Sequence, residues 1–225
     1  LHHSCVARHA DGQVLGLSML GFRHQTAWIT RLGVLPVTRR TGAGSVLMHS
    51  MLANAAALGA KEIHLEVIKN NAPAYNLFLK TGFIEKDTYL VMRHAPRPMT
   101  MPLQDEVTWL NFDKALEKLE TYPHHLTWIN ALESMRNSPS TEGLHVRLAN
   151  GSSGWLVYRN TKFTLRSTLS HLIMHTELGN AEEVGIQLLS HLHTHYPHHD
   201  TYAENIREND PHLAAFQTLG YFTNF

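Results

Sequence analysis

The chain has 225 residues, 43% hydrophobic and 17% charged, and its 19 basic and 19 acidic residues give a formal net charge of zero. That length suits one large domain or two of ordinary size, and the balance of charge speaks against a broad nucleic-acid surface. Cys5 is the single cysteine, which excludes an intrachain disulfide and fits a reducing, cytoplasmic compartment; no apolar run is long enough to expect a membrane-crossing helix, so no membrane partner is expected.

In chain order, His3 to Arg8 and Val14 to Phe22 read as strands joined by a turn, Ala10-Asp11-Gly12-Gln13, that carries the Asp-Gly hairpin signal. Thr26 to Leu35 is an apolar strand ended by Pro36, which has no N–H for a ladder. Ser45 to Leu58, rich in Ala, Leu and Met, predicts a helix stopped at Gly59. A strand over Glu62 to Ile68, a short helix over Ala72 to Thr81 with Pro73 in its first turn, and one or two strands over Phe83 to Arg93 follow. HAPRPMTMPL then reads as a linker. Beyond it, Phe112–Thr121 and Leu126–Arg136 predict helices, and Leu144–Leu148, Gly154–Tyr158 and Thr168–His175 predict strands. Ala181–His195 predicts a helix, Thr201–Ile206 a strand and Pro211–Leu219 a short helix.

Arg39-Arg40-Thr41-Gly42-Ala43-Gly44 joins a strand to a helix. Such a turn collects free backbone N–H groups and the positive end of the helix dipole at one point, which suits an anion. Glycines let the backbone approach a phosphate closely. The spacing alone is weak evidence, because most such turns are only turns.

The run Arg-x-x-Gly-x-Gly after Val-x-Pro resembles the acyl-CoA pyrophosphate motif of the GCN5-related N-acetyltransferases, the GNAT superfamily. LEVIKNNAPAYNLFLKTGF, Leu65 to Phe83, resembles that superfamily's second signature at the right distance. The resemblance covers residues 5 to 95 well and implies an α/β fold, a mixed central sheet flanked by helices. It implies acetyl-CoA as co-substrate, an amine acceptor (a small molecule or a peptide amine) and no metal.

The second half repeats the first. A shift of 138 residues without a gap aligns Gly16 with Gly154, Thr26 with Thr164, Thr30 with Thr168, Thr38 with Thr176 and Ala43 with Ala181, with twelve identities between Gly16 and Phe83. The expected organisation is a tandem of two GNAT copies packed on each other: residues 1–95, a Pro-rich linker at 96–102, and a degenerate copy at 103–225. Matched against the second copy, the first lacks about 35 N-terminal residues and the second lacks about seven, a last strand. A fragment of a longer protein is the expectation.

By resemblance, Leu32, Gly33 and Val34 offer backbone groups to the pantetheine arm and thioester carbonyl, where a preset N–H donor is often worth about 3 kcal/mol. Arg39, Arg40, Thr41, Gly42, Ala43, Gly44 and Ser45 form the pyrophosphate cradle. Glu66 stands where related alanine N-acetyltransferases keep a general base; a structural glutamate at a sheet edge is the alternative, favoured by Glu204 at the matching position of the degenerate copy. Asn71 matches an asparagine that faces the cofactor arm, and an N-cap is an equally good job for it. Phe78 departs from the family, which usually has a proton-donating tyrosine there. Tyr75, one turn earlier, is the candidate substitute acid; a partly buried packing tyrosine is the favoured alternative, with water then serving as the acid. In the second copy Glu177-Leu178-Gly179-Asn180-Ala181-Glu182 replaces the cradle, and its carboxylates would repel a pyrophosphate. His191 and His195, four apart, have metal-like spacing, but a solvated histidine-rich surface accounts for them better. A non-catalytic or weakly catalytic acyl-CoA-binding protein remains the alternative function.

Overall fold

The computed structural model describes residues 3–98, 106–164 and 166–224. The chain divides between Lys86 and Asp87 into two compact units. The first contains β1 (Cys5–Arg8), β2 (Val14–Arg23), β3 (Thr26–Val34), a single 3-10 turn at Pro36–Thr38, α1 (Ala43–Ala57), β4 (Glu62–Leu65) and α2 (Ala72–Lys80). Its sheet order is β1-β2-β3-β4. The first three strands are antiparallel. β4 lies parallel to β3, as a strand returning through the crossover helix α1 must. Leu20, Ala27 and Ile29 of the sheet pack against Met48, Met51 and Ala55 of α1 and Phe78 of α2.

The second unit contains β5 (Tyr89–His94), β6 (Glu106–Leu110), α3 (Phe112–Glu120), α4 (Leu132–Arg136), β7 (Thr141–Arg147), β8 (Ser153–Lys162), β9 (Ser167–Leu178), α5 (Ala181–His195), β10 (Asp200–Arg207), α6 (Leu213–Thr218) and β11 (Phe222–Thr223). The strand order is β11-β5-β10-β9-β8-β7-β6. One core holds Leu156, Tyr158, Leu172, Val184, Leu188 and Phe216. Another holds Leu116, Leu119, Met135, Trp155, Val157 and Ile173. Trp155 and Val157 alternate with Leu156 and Tyr158 along β8, so both faces of this sheet are covered.

Three sequence expectations change. The strand at Tyr89–His94 does not close the first sheet: it lies between β10 and β11 of the second, with Thr201 opposite His94 and Phe222 opposite Arg93. Met92 and His94 are each 1% exposed there, so the strand's alternate residues are held in that unit's interior. Of the expected linker, 99–102 lie outside the described residues, as does Leu103. Leu126–Arg136 is not one helix. The carbonyl of Thr127 takes the N–H groups of Asn130 and Ala131, a turn that does not propagate, and helix begins only at Leu132.

The gapless repeat is the third. Gly16 pairs with Val34 and Gly154 pairs with Thr176, so β3 and β9 are related by 142 residues, not 138. The helix caps Gly42 and Asn180, and the partners Glu62 and Asp200, keep the shift of 138. Two length changes cancel. The β2–β3 hairpin has two residues between the pair Arg23 and Thr26, whereas six separate the equivalent pair Thr161 and Thr168. The turn before the helix has seven residues between Val34 and Gly42 but three between Thr176 and Asn180. The matches of Thr26, Thr30 and Thr38 are therefore coincidental; the residue equivalent to Thr26 is Thr168.

Candidate functional site

In the first unit β3 and β4 pair from Thr26 and Glu62 to Ile29 and Leu65, and then part. A bulge sits at the same place: Met19 faces Arg31 and Leu20 faces Ile29, leaving Thr30 as the extra residue. The bulge bends β3 away, so Leu32, Gly33 and Val34 continue along β2 without β4 beside them. Gly16 makes this possible, since a Cβ there would lie 2.4 Å from the Gly33 carbonyl oxygen. An open apolar groove of about 220 Å³ runs along this stretch, lined by Val14, Gly16, Leu17, Gly33, Val34, Leu35 and Pro36.

The strand leads into the turn. Thr38 is buried, and its hydroxyl donates to the carbonyls of Leu15 and Leu35 at 3.0 and 3.1 Å. The Thr41 hydroxyl donates to the Thr38 carbonyl at 2.8 Å. These bonds hold the turn to β2 while Arg39 and Arg40 stay exposed. Arg40 has φ of 66°, a conformation few non-glycine residues take. Gly42, at φ 89°, is the N-cap of α1; no side chain caps the helix and its first turn has no acidic residue. The N–H groups of Ala43, Gly44 and Ser45 belong to that uncapped turn. A Cβ on Gly44 would lie 3.2 Å from Leu77, so this glycine lets α1 approach α2.

Glu66 follows the end of β4 and is exposed. Asn71 caps α2, its Oδ1 accepting the Ala74 N–H at 3.4 Å. Phe78 is 8% exposed and packs edge-on against Phe83, centroids 6.2 Å apart, so its ring belongs to the core. The Tyr75 hydroxyl donates to Glu85 at 3.0 Å. That bond and the Glu85 charge push the phenol above its usual value. Glu85 was not foreseen; a carboxylate ten residues away in an irregular segment gives no periodic signal.

The second unit builds the same frame differently. β9 and β10 pair only at Thr168 with Asp200 and Leu169 with Thr201 before parting. His171, at φ 55°, lies in the bulge opposite Tyr158. α5 is capped by Asn180, whose side chain accepts the Glu183 N–H at 3.0 Å, and its first turn carries Glu182 and Glu183. Glu177 is bonded by Lys118 at 2.6 Å and His145 at 2.8 Å. Burial opposes its charge, but those two partners together hold its pKa below the usual range. The shortened turn has no counterpart of Arg39, Arg40 or Thr41. His191 is buried, so the expectation of a solvated side chain fails for it, and His195 lies tilted against Trp109 with ring centroids 4.2 Å apart.

Residues 2–83 match the model of the acetyltransferase (GNAT) family. This part of the chain is a GNAT domain. An uncharacterized N-acetyltransferase of Mycobacterium tuberculosis is 40% identical over 78 residues, 34% of this chain and 49% of the relative. An N-alpha-acetyltransferase of Sulfurisphaera tokodaii is 35% identical over 97 residues, 37% of this chain and 56% of that protein. The chain thus spans about half the length of these curated relatives. Across both units the fold is that of solved GNAT structures. A tandem GNAT protein from the clavulanic acid biosynthesis pathway superposes with a TM-score of 0.60 at 16% identity, over 98% of this chain and 80% of that one. A GNAT from Sphaerobacter thermophilus superposes with a TM-score of 0.67 at 13% identity, over 98% of this chain and 77% of that one.

Proposed function

We propose that the first unit transfers an acetyl group from acetyl-CoA to an amine, in one ternary complex. The observation that carries this reading is the pairing of two features on one strand: β3 leaves β4 after Ile29, and it ends at an uncapped, carboxylate-free helix start. The pyrophosphate would sit at Gly42 to Ser45 beside Arg39 and Arg40. The pantetheine arm would lie along Leu32 to Val34, with Asn71 and the Phe78 ring bordering it from α2. The amine nitrogen attacks the thioester carbonyl carbon and the C–S bond breaks. Glu66 receives the proton of the amine, directly or through water. The departing thiolate takes a proton from Tyr75. The names of these two relatives, both N-acetyltransferases, support an amine as the acceptor class.

The second unit, with its capped helix and acidic first turn, is proposed not to bind acetyl-CoA. The experiment is thiol release from acetyl-CoA with a panel of peptide and small-molecule amines, comparing the native chain with Glu66→Gln. A fall in kcat of about a hundredfold or more, with the rising limb of the pH profile lost, supports the assignment. The second reading is a protein that binds acyl-CoA without turnover. The buried Phe78 and the bond from Tyr75 to Glu85 favour it. Tight acetyl-CoA binding with no acceptor-dependent thiol release would establish it.

A further inference from the structure

Thr176 lies on β9 opposite Gly154 of β8 and is partly exposed. Among the described residues its hydroxyl has one hydrogen-bond partner, Nε2 of His212, at 2.9 Å. The other ring nitrogen of His212, Nδ1, lies 3.2 Å from Oδ1 of Asp210. The same oxygen accepts the His212 main-chain N–H at 2.8 Å, which fixes the carboxylate against the ring. His212 is 4% exposed. Its ring rests on Gly185 of α5, where a Cβ would come within 3.4 Å of the ring Cδ2. A carboxylate only accepts, so in the neutral imidazole the hydrogen sits on Nδ1, and Nε2 accepts the Thr176 O–H.

Carboxylate, imidazole and hydroxyl thus stand in the order and at the separations that activate a hydroxyl nucleophile. The first unit has no counterpart. The relation of 142 residues between β3 and β9 puts Val34 in the place of Thr176, and the relation of 138 puts Ala72 and Ala74 in the places of Asp210 and His212. The shared frame therefore does not require these three polar groups. β10 leaves β9 after Leu169, so the outer edge of β9 beyond His171 has no ladder, and its N–H groups can face a developing oxyanion.

We propose that Thr176 is the nucleophile of an esterase site in the second unit, with His212 as general base and Asp210 as the positioning residue. The Thr176 oxygen bonds to the ester carbonyl carbon while its proton passes to Nε2 of His212. The adduct expels the alkoxide, which takes that proton, and an acyl-threonine remains. Water then attacks the acyl carbon and gives a proton to His212, which returns it to Thr176 as the acid departs. One ester and one water become one acid and one alcohol. Leu178, two residues on along the same face of β9, is 64% exposed and offers an apolar surface. The first turn of α5 carries Glu182 and Glu183, which oppose an anion. The substrate class is a neutral ester with a small apolar group, not a CoA thioester.

The probe is p-nitrophenyl acetate, hydrolysed by the full chain without acetyl-CoA, so the outcome is independent of the first unit's cofactor site. Saturable p-nitrophenolate release above that of free imidazole at equal histidine content is expected, and a fluorophosphonate should label the peptide that carries Thr176. Thr176→Ser should keep release within about tenfold, and His212→Gln should lower kcat about a hundredfold or more. Asp210→Asn keeps the oxygen that faces Nδ1 but not the charge that steadies the imidazolium. It should lower kcat about tenfold or more with KM little changed, and move the rising limb of the pH profile to lower pH, which a merely structural role would not do. No saturable release, label confined to other residues, or native kcat in His212→Gln each overturns the proposal.

Discussion

The carboxylate of Glu204 accepts the main-chain N–H of His171 at 2.7 Å. β9 and β10 have just parted, and the bond ties the bulge to the opposite strand by a side chain where a ladder bond has been lost. Both side chains are partly buried. Burial raises the Glu204 pKa above the usual carboxylate value, while the N–H of His171 and the charge of Arg159 pull it down by less. A carboxyl with a raised folded pKa contributes stability that is complete below the unfolded value and lost as pH rises through the folded one. Glu204→Gln, which keeps an acceptor for His171 and cannot ionise, should therefore gain on the native chain as pH rises from about 4.5 toward neutrality. Thermal midpoints of the two chains across that range test this; a gap that does not widen with pH contradicts it.

A histidine pair works in the opposite sense. His94 of β5 stacks on His193 of α5 at 4.0 Å, and His193 also shares a hydrogen bond with the Tyr221 hydroxyl at 2.9 Å. Burial first and Arg97 second lower His94 to about 4; burial first and His94 second lower His193 to about 3. Both rings are neutral in the fold and charge on unfolding below about 6.5. Stability should then fall as pH drops from 6.5 toward 4. His94→Gln keeps an acceptor for Arg97 and should make the fall in urea midpoint shallower. An unchanged slope would mean that other groups govern acid unfolding.

Gly16 and Gly154 make the same close approach in the two units. A Cβ on Gly16 would lie 2.4 Å from the Gly33 carbonyl oxygen, and one on Gly154 would lie 2.5 Å from that of His175 and 2.6 Å from Val184. Alanine at either site must displace backbone, at a cost of about 1–3 kcal/mol or more. Gly16→Ala should also weaken acetyl-CoA binding, because the strand it pushes carries Gly33. Gly154→Ala should destabilise without that effect. Denaturant midpoints and calorimetry on both variants separate the two outcomes.

The same glycines show what was legible in the chain. Their alignment pointed to the repeat, and the helix expected from Ala181 begins there, whereas α1 begins at Ala43, inside the expected turn and two residues before Ser45. The proposed cradle could be named from the sequence because its residues are contiguous. The exact relation of β3 to β9 was hidden, because a gapless count sees only net length, and a hairpin four residues longer offsets a turn four residues shorter. The allegiance of Tyr89–His94 was hidden for another reason: the alternation of a strand specifies its buried face, not the sheet whose edge it joins. Glu85 was missed because it lies in an irregular segment, which gives no periodic signal.

The cradle gives a binding test. Gly42→Glu puts a carboxylate at the uncapped start of α1 and a side chain at φ 89°, a conformation that costs roughly 1 kcal/mol for a non-glycine residue. Gly42→Ala carries the same conformational cost without the charge. Calorimetry should find one acetyl-CoA site per chain, retained but weakened in Gly42→Ala and lost in Gly42→Glu. Arg40→Ala should weaken binding several-fold and reduce its dependence on salt, as for a guanidinium near a phosphate. Two sites in the native chain would mean that the acidic, capped start of α5 accepts the nucleotide after all.

Tyr75 decides how the leaving thiolate is protonated. Its hydroxyl has one hydrogen, and that hydrogen points to Glu85. The carboxylate raises the phenol above its usual value of 10.0, so the group stays protonated throughout the neutral range and loses its proton only at higher pH. If Tyr75 donates, Tyr75→Phe should lower kcat by tenfold or more, within the usual range for general acids. Glu85→Gln removes the charge that raises the phenol, so it should shift the falling limb of the kcat profile to lower pH while leaving acetyl-CoA affinity unchanged. A Tyr75→Phe chain with native kcat would assign the proton to water. The Tyr75–Glu85 bond would then be a structural tie between α2 and the segment that follows it.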